Sequence, residues 1–168
     1  MPNPSSAGDS SDPLVETVER FIPAPAADIF ALVADPARHH ELDGSGTVQG
    51  LKVDTTAAGS TPLTLGSTFS MKMKMGFPYT MVNTIVEFEP DRLIAWQPRP
   101  DKKLLALGIG GRIWRYELIP QDGGTLVRES WDIRQEKVPS VFLKPLHKKT
   151  VESMTATLER LEKAVVKA

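Results

Sequence analysis

The chain of 168 residues reads as an α+β domain, a curved antiparallel sheet of about seven strands closed by one long C-terminal helix. Three observations predict this. From Leu146 there is room for about 20 helical residues, roughly 30 Å at 1.5 Å per residue. Within that stretch Val151, Met154, Leu158, Leu161 and Val165 recur at steps of three or four, a single apolar stripe. Between residues 47 and 134 extended runs follow one another on short turns, which favours antiparallel pairing. A strand and two short helical segments precede them. A long, one-sided helix needs a broad apolar surface to lie against, and the sheet supplies it.

The elements follow in order. Leu14 to Ile22 alternates as a first strand, and Pro23 and Pro25 end it because neither can donate to a ladder. Ala26 to Ala34, with Ile29, Phe30, Leu32 and Val33, is a short helix. Asp35-Pro36 is an N-cap with proline at the first helical position, and a second helical turn covers Ala37 to Leu42. Asp43-Gly44-Ser45-Gly46 is a turn, Thr47 to Asp54 a strand, and Thr55 to Pro62 a small, polar loop. Gly66 to Met75 has the cleanest period of two, with Phe69, Met71, Met73 and Met75 on one face and Ser70, Lys72 and Lys74 on the other. Strands follow at Tyr79–Glu89, Arg92–Gln97, Gly111–Ile119 and Thr125–Arg134. Pro90-Asp91 separates the first two of these, Pro98 to Gly110 is a longer connection, and Gln121-Asp122-Gly123-Gly124 signals a hairpin. On the last helix Lys149, Glu152, Ala156, Glu159, Arg160 and Lys163 form the polar face. Glu159 and Lys163 stand four apart in the favourable order.

Composition bounds the function. Hydrophobic residues at 40% and charged residues at 24% are ordinary for one soluble domain, placed at residues 14–168. A net charge of −1 argues against a nucleic-acid binder. With no cysteine there is no disulfide, thiolate chemistry or cysteine-containing metal site. No apolar run approaches the ~20 residues that span a bilayer. Residues 1–13, rich in Pro, Ser, Gly and Asp, lack the features of a secretory signal and read as a disordered tail, so the expected location is cytoplasmic. The expected assembly is a monomer or homodimer.

The opening Phe21-Ile22-Pro23-Ala24-Pro25-Ala26-Ala27-Asp28-Ile29-Phe30, completed by Ala34-Asp35-Pro36-Ala37-Arg38, resembles the start of a known family. This is the START-like, Bet v 1-like helix-grip superfamily (SRPBCC), in its polyketide cyclase/dehydrase and lipid transport branch. The resemblance covers about residues 14–166. Where the branch often carries a tryptophan-bearing segment, His39-His40-Glu41-Leu42 stands here. The resemblance implies a helix-grip fold with a ligand cavity between sheet and helix. It leaves the chemistry open, because the superfamily includes carriers, aromatase/cyclases, hydroxylase subunits and chaperone activators.

Several residues are candidates for that cavity. Met71, Met73 and Met75 form either an ordinary core face or a flexible, polarisable wall. Trp96, Trp114 and Trp131 fall on three different strands, Trp114 alternating with Tyr116 and Arg112, and Trp131 with Val127 and Ile133. Such rings stack on a flat apolar ligand or simply pack. Phe142, Val151 and Met154 complete the apolar set. His147 projects in line with Val151, Met154, Leu158 and Val165, toward the sheet, and is the candidate catalytic acid/base; Arg112, Tyr116 and Tyr79 are further ones. Adjacent His39 and His40 point apart and lack zinc-site spacing, so no metal is expected, and no cofactor fingerprint is present. Gly108 to Gly111 is a turn or a gate over the entrance, and Lys72, Lys74, Lys144, Lys148 and Lys149 read as solvated faces.

Two functions follow: binding of a hydrophobic small molecule or lipid, or a polyketide cyclase/dehydratase-type reaction using an acid/base such as His147. A third class, a module regulating another protein, would expose an apolar patch.

Overall fold

The computed structural model describes residues 12–52 and 63–167. The expected polar loop at 55–62, the end of the strand before it and all but the last two residues of the N-terminal tail lie outside the described residues. The chain runs β1 (Val15–Ile22), α1 (Ala26–Val33), a 3-10 turn at Pro36–Arg38, α2 (His39–Leu42), β2 (Val48–Leu51), β3 (Thr68–Met75) and β4 (Phe77–Glu89). It continues through β5 (Leu93–Pro100), α3 (Lys103–Ala106), β6 (Ile113–Gln121), β7 (Gly124–Asp132), α4 (Ser140–Leu143) and α5 (His147–Val166). The seven strands form one antiparallel sheet in the order β1-β7-β6-β5-β4-β3-β2. β1 and β2 are its two edges, so the chain crosses from one edge to the other through α1 and α2. The expected curved sheet with a long terminal helix is the fold observed; α3 is a short turn within the Pro98–Gly110 connection, and α4 is a short turn between β7 and α5.

Local chemistry explains the element boundaries. Asp35 caps the 3-10 turn, its Oδ1 accepting from the Ala37 amide at 3.0 Å, with Pro36 at the first position. Asp122-Gly123 closes the β6–β7 hairpin as a two-residue turn between paired Gln121 and Gly124, and Gly123 takes φ +81°. Register shifts at Ile85/Glu87 in β4 and Val48/Gly50 in β2 mark irregularities of the kind that bend strands. They sit in the half of the sheet that must curl round the helix.

The core is built from one stripe of α5 and the inner sheet face. Met154, Leu158, Leu161 and Val165 are buried, while Glu152, Glu159 and Lys163 are not. Ile22, Ile29, Ile85, Ile94, Leu118 and Val127 meet this stripe in the main cluster. The outer sheet face carries charge pairs instead, such as Arg115 with Glu87 and Arg128 with Glu19. A solvent-facing pair such as Arg128 with Glu19 contributes little, about 0–1 kcal/mol.

α5 packs most extensively on β1 and β7 and on α1 and α2. Arg20 of β1 holds Glu162 at 2.6 Å. On its other side the helix presses against the α2–β2 turn. The Gly44 amide donates to Thr157 Oγ1 at 2.9 Å, and Arg160 donates to the Asp43 carbonyl. A Cβ at Gly44 would stand 2.2 Å from the Ser153 carbonyl oxygen and 2.7 Å from Ala156 Cβ. Only glycine lets the turn approach the helix this closely.

Gly44→Ala should therefore push α5 outward. The expected loss is about 1–3 kcal/mol, typical of overpacking, read from urea unfolding of both proteins; an unchanged midpoint would show that the turn does not hold the helix.

Candidate functional site

The same packing leaves a gap. Because α5 leans on β1 and β7, the inner faces of β3 to β6 are only partly covered, and a cavity of about 320 Å³ lies between them and the helix. Its wall is mostly apolar, with a small set of polar groups. A concave, largely apolar site of this size suits a small ligand.

β3 supplies one wall through its period of two. Phe69 and Met71 are buried, Met73 is half-buried, and Met75 at the strand end is 61% exposed. All four line the cavity, which thus runs from the core toward that end of the sheet. Around the same end stand the exposed Phe77 of the β3–β4 hairpin, Leu104, Leu105 and Leu107 of the β5–β6 connection, and Phe142.

The opposite wall is aromatic. Trp96 of β5 lies directly across from Trp114 of β6, which lies across from Trp131 of β7. All three tryptophans line the cavity. Trp96 is sandwiched: its ring stacks on His39 at 5.1 Å and 26°, and on Tyr116 at 5.5 Å and 20°. Phe69 packs edge-on to both His39 and Trp96. The result is a rigid column of stacked rings.

The polar groups in this wall are few and perturbed. Glu129 of β7 is 3% exposed and faces the cavity. Tyr116, its direct cross-strand partner, donates its hydroxyl to Glu129 Oε1 at 2.7 Å. Burial pushes the Glu129 carboxyl up to about 8; the Tyr116 bond opposes this and the Asp43 charge adds to it. Burial also carries the Tyr116 hydroxyl well above its usual range. Glu129 Oε2 and the indole Nε1 of Trp131 have no hydrogen-bond partner among the described residues. Both belong to residues lining the cavity.

His39 joins the site from α2. Its Nε2 lies 2.8 Å from the Val33 carbonyl, which can only accept, so Nε2 carries the hydrogen. Burial lowers its pKa against the pull of the Val33 carbonyl, Asp35 and Asp43. A neutral ring then leaves Nδ1 with a lone pair. His40 Nδ1 sits 2.9 Å from the Ala37 carbonyl, so both adjacent imidazoles engage backbone. Arg112 lines the cavity and binds Glu136 at 2.6 Å. Burial pushes the Glu136 carboxyl up, but Arg112 and the amides of Gly110 and Val138 outweigh it and hold it below its usual range. This pair ties the Gly108–Gly111 segment to the chain after β7.

Of the residues singled out from the sequence, Met71, Met73, Met75, Trp96, Trp114, Tyr116, Trp131 and Met154 come together around the cavity, as do Tyr79 and Arg112. Phe142, Val151 and His147 are not among its lining residues. Phe142 is 70% exposed, because α4 turns Leu143 inward instead. His147 does face the sheet, but its Nδ1 meets Glu16 Oε1 at 2.6 Å and its ring packs edge-on against Trp131. It stands behind the tryptophan, on the side of β1. His39 lies in the segment that the sequence places at the lip of the cavity, though not as a ligand or catalytic residue; Glu129 is not among the expected site residues. For Glu129 the signal existed: the alternation joining Val127 to Trp131 puts it on the same face.

A curved antiparallel sheet gripping one long helix around such a cavity defines a helix-grip domain. A model of the polyketide cyclase/dehydrase and lipid transport family matches residues 15–166, and the chain belongs to that family. An uncharacterized Mycobacterium tuberculosis protein, Rv0088, is 48% identical over 77 residues, 45% of this chain and 32% of that protein. The match thus spans about a third of that curated relative. Protein Ms6760 from Mycobacterium smegmatis shares the fold over 91% of each chain, with TM-score 0.66 and 15% identity. The di-domain ARO/CYC StfQ from the steffimycin biosynthetic pathway matches with TM-score 0.64 and 12% identity, over 89% of this chain and 49% of that one. Family membership supports a ligand-binding helix-grip domain. Among the described residues no helix is long and apolar enough to cross a membrane.

The raised Glu129 carboxyl makes stability pH-dependent with a defined sign. Its folded value, about 8, lies above the ordinary 4.5, so the folded state holds the proton more tightly. Its contribution is full below 4.5 and is lost as pH rises to about 8. At about 1.4 kcal/mol per unit this is on the order of a few kcal/mol. Thermal melts between pH 5 and 8.5 should show wild type losing stability relative to Glu129→Gln as pH rises; parallel curves would place the carboxyl in the ordinary range.

Proposed function

We propose that the protein binds a hydrophobic small molecule or lipid in the cavity between the sheet and α5. The observation that carries this reading is the cavity wall itself: methionines on one side and a column of stacked rings on the other. Methionine side chains adapt to the outline of a guest at small conformational cost, whereas stacked rings offer a fixed flat surface. The ligand residues are Met71, Met73, Met75, Trp96, Trp114, Tyr116, Trp131 and Met154. Phe142 and Val151 belong to the surroundings rather than to the contact surface.

A second reading, cyclase or dehydratase chemistry, draws support from the ionisable groups that share the cavity. At neutral pH Glu129 is a proton donor and His39 a proton acceptor, an arrangement suited to acid–base catalysis. In this reading His39 and Glu129 carry the proton transfers. The part first assigned to His147 becomes one of position, holding Trp131 from behind through its contact with Glu16.

Mass spectrometry of the natively purified protein should detect a bound apolar compound. Met154→Trp fills the cavity from the helix side and should weaken that binding by about tenfold or more. His147→Phe should leave it within about threefold, since the ring does not touch the cavity. Full binding by Met154→Trp would remove the site from the cavity. Turnover of a cyclisable substrate, abolished by Glu129→Gln with binding retained, would favour the enzymatic reading.

A further inference from the structure

Two buried polar atoms in the cavity wall are left over once the protein's own hydrogen bonds are counted. Glu129 Oε2 and Trp131 Nε1 lack partners among the described residues, and their residues are 3% and 2% exposed. They stand two positions apart on β7, and therefore on one face of the strand. Both residues line the same cavity. Leaving a buried polar atom unpaired is costly, and such atoms in a folded protein call for an explanation.

The chemistry of each atom narrows what can satisfy it. The indole Nε1 can only donate. Glu129 receives the Tyr116 hydroxyl on Oε1 and, among the described residues, makes no ion pair with Arg, Lys or His. A carboxyl buried without a cation is stable as the neutral acid. With Oε1 occupied as acceptor, its proton belongs on Oε2. Two donors are therefore left unpaired on residues that line the cavity, beside the stacked rings of Trp96 and Tyr116.

We propose that Glu129 Oε2 and Trp131 Nε1 form a polar anchor for a neutral acceptor oxygen, a ketone, aldehyde or ester carbonyl, on an otherwise apolar ligand. This rests on the binding function proposed above and adds the ligand's polar end and its orientation. The carbonyl points at β7 while the apolar body lies along Trp96 and the β3 methionines. A free carboxylate is disfavoured, because it would bring a second acid to a buried carboxyl.

The test uses a matched planar pair, 9-fluorenone and fluorene, which differ only in C=O against CH₂. Equilibrium dialysis at pH 6.5 with wild-type protein should show the ketone bound about tenfold more tightly, the gain expected of one or two neutral hydrogen bonds. Trp131→Phe and Glu129→Leu should each shrink that ratio, and Glu129→Gln, which keeps a donor, should retain part of it. Equal affinity of wild type for both compounds overturns the anchor and leaves the apolar cavity standing. A preference that survives both Trp131→Phe and Glu129→Leu also overturns it. If neither compound binds, the anchor and the cavity reading fail together. The wild-type comparison needs no variant to fold.

Discussion

The docking of α5 on one side of the sheet is the constraint on which the other features rest. A helix with a single apolar stripe can cover about one helix diameter, some 10 Å. Seven strands at about 4.8 Å spacing form a much wider surface. The helix must therefore choose which strands to seal, and it seals β1 and β7, with α1 and α2 closing its other flank. The Gly44 contact and the Arg20–Glu162 pair hold it there. The strands in the middle of the order are covered by α1 and α5 over only part of their length, which leaves inward side chains facing open space. A cavity is the geometric remainder of that choice.

What fills the remainder then follows from strand register. Inward positions on β5, β6 and β7 lie directly opposite one another, so Trp96, Trp114 and Trp131 form a row across the sheet. Tyr116 and Glu129, one pair further along, form the next row. The carboxyl is in this way held among rings by two hydrogen-bonded strands. It cannot swing to solvent as it would on a loop. Its protonation is set by the fold, and the strand register places Tyr116 opposite it.

The fold was largely legible in the sequence because its signals are local. Period two in Phe69-Ser70-Met71-Lys72-Met73, the Asp122-Gly123 turn and the stripe on α5 each depend on neighbours a few residues apart. The site was legible where strand alternation decides, as for the methionines and tryptophans. It was not legible where a contact between distant segments decides. Helical projection correctly turned His147 toward the sheet, but cannot tell that Glu16 and Trp131 meet it there. Phe142 sits beside Leu143 on a helix of one turn, too short for periodicity to say which of them is buried. The segment from His39 to Asp43 was legible as the lip of the cavity, but not the stacking of His39 on Trp96, which depends on α2 being carried across to the far sheet edge.

These same facts argue about where chemistry can occur in this domain. His147 has the freer access to solvent, yet Glu16 engages it and Trp131 separates it from the cavity. Glu129, Tyr116 and His39 have poorer access but share one apolar space, and burial drives their protonation equilibria apart. A carboxyl kept protonated and an imidazole kept neutral are a donor and an acceptor at the same pH. The proposed binding needs only the donor, against which a carbonyl oxygen would be seated. Proton transfer needs both, with a reacting atom between Glu129 and His39. In the two proposed readings, a ligand short enough to sit on β7 alone would only be bound, whereas one that spans Trp96 to reach His39 would be placed for proton transfer.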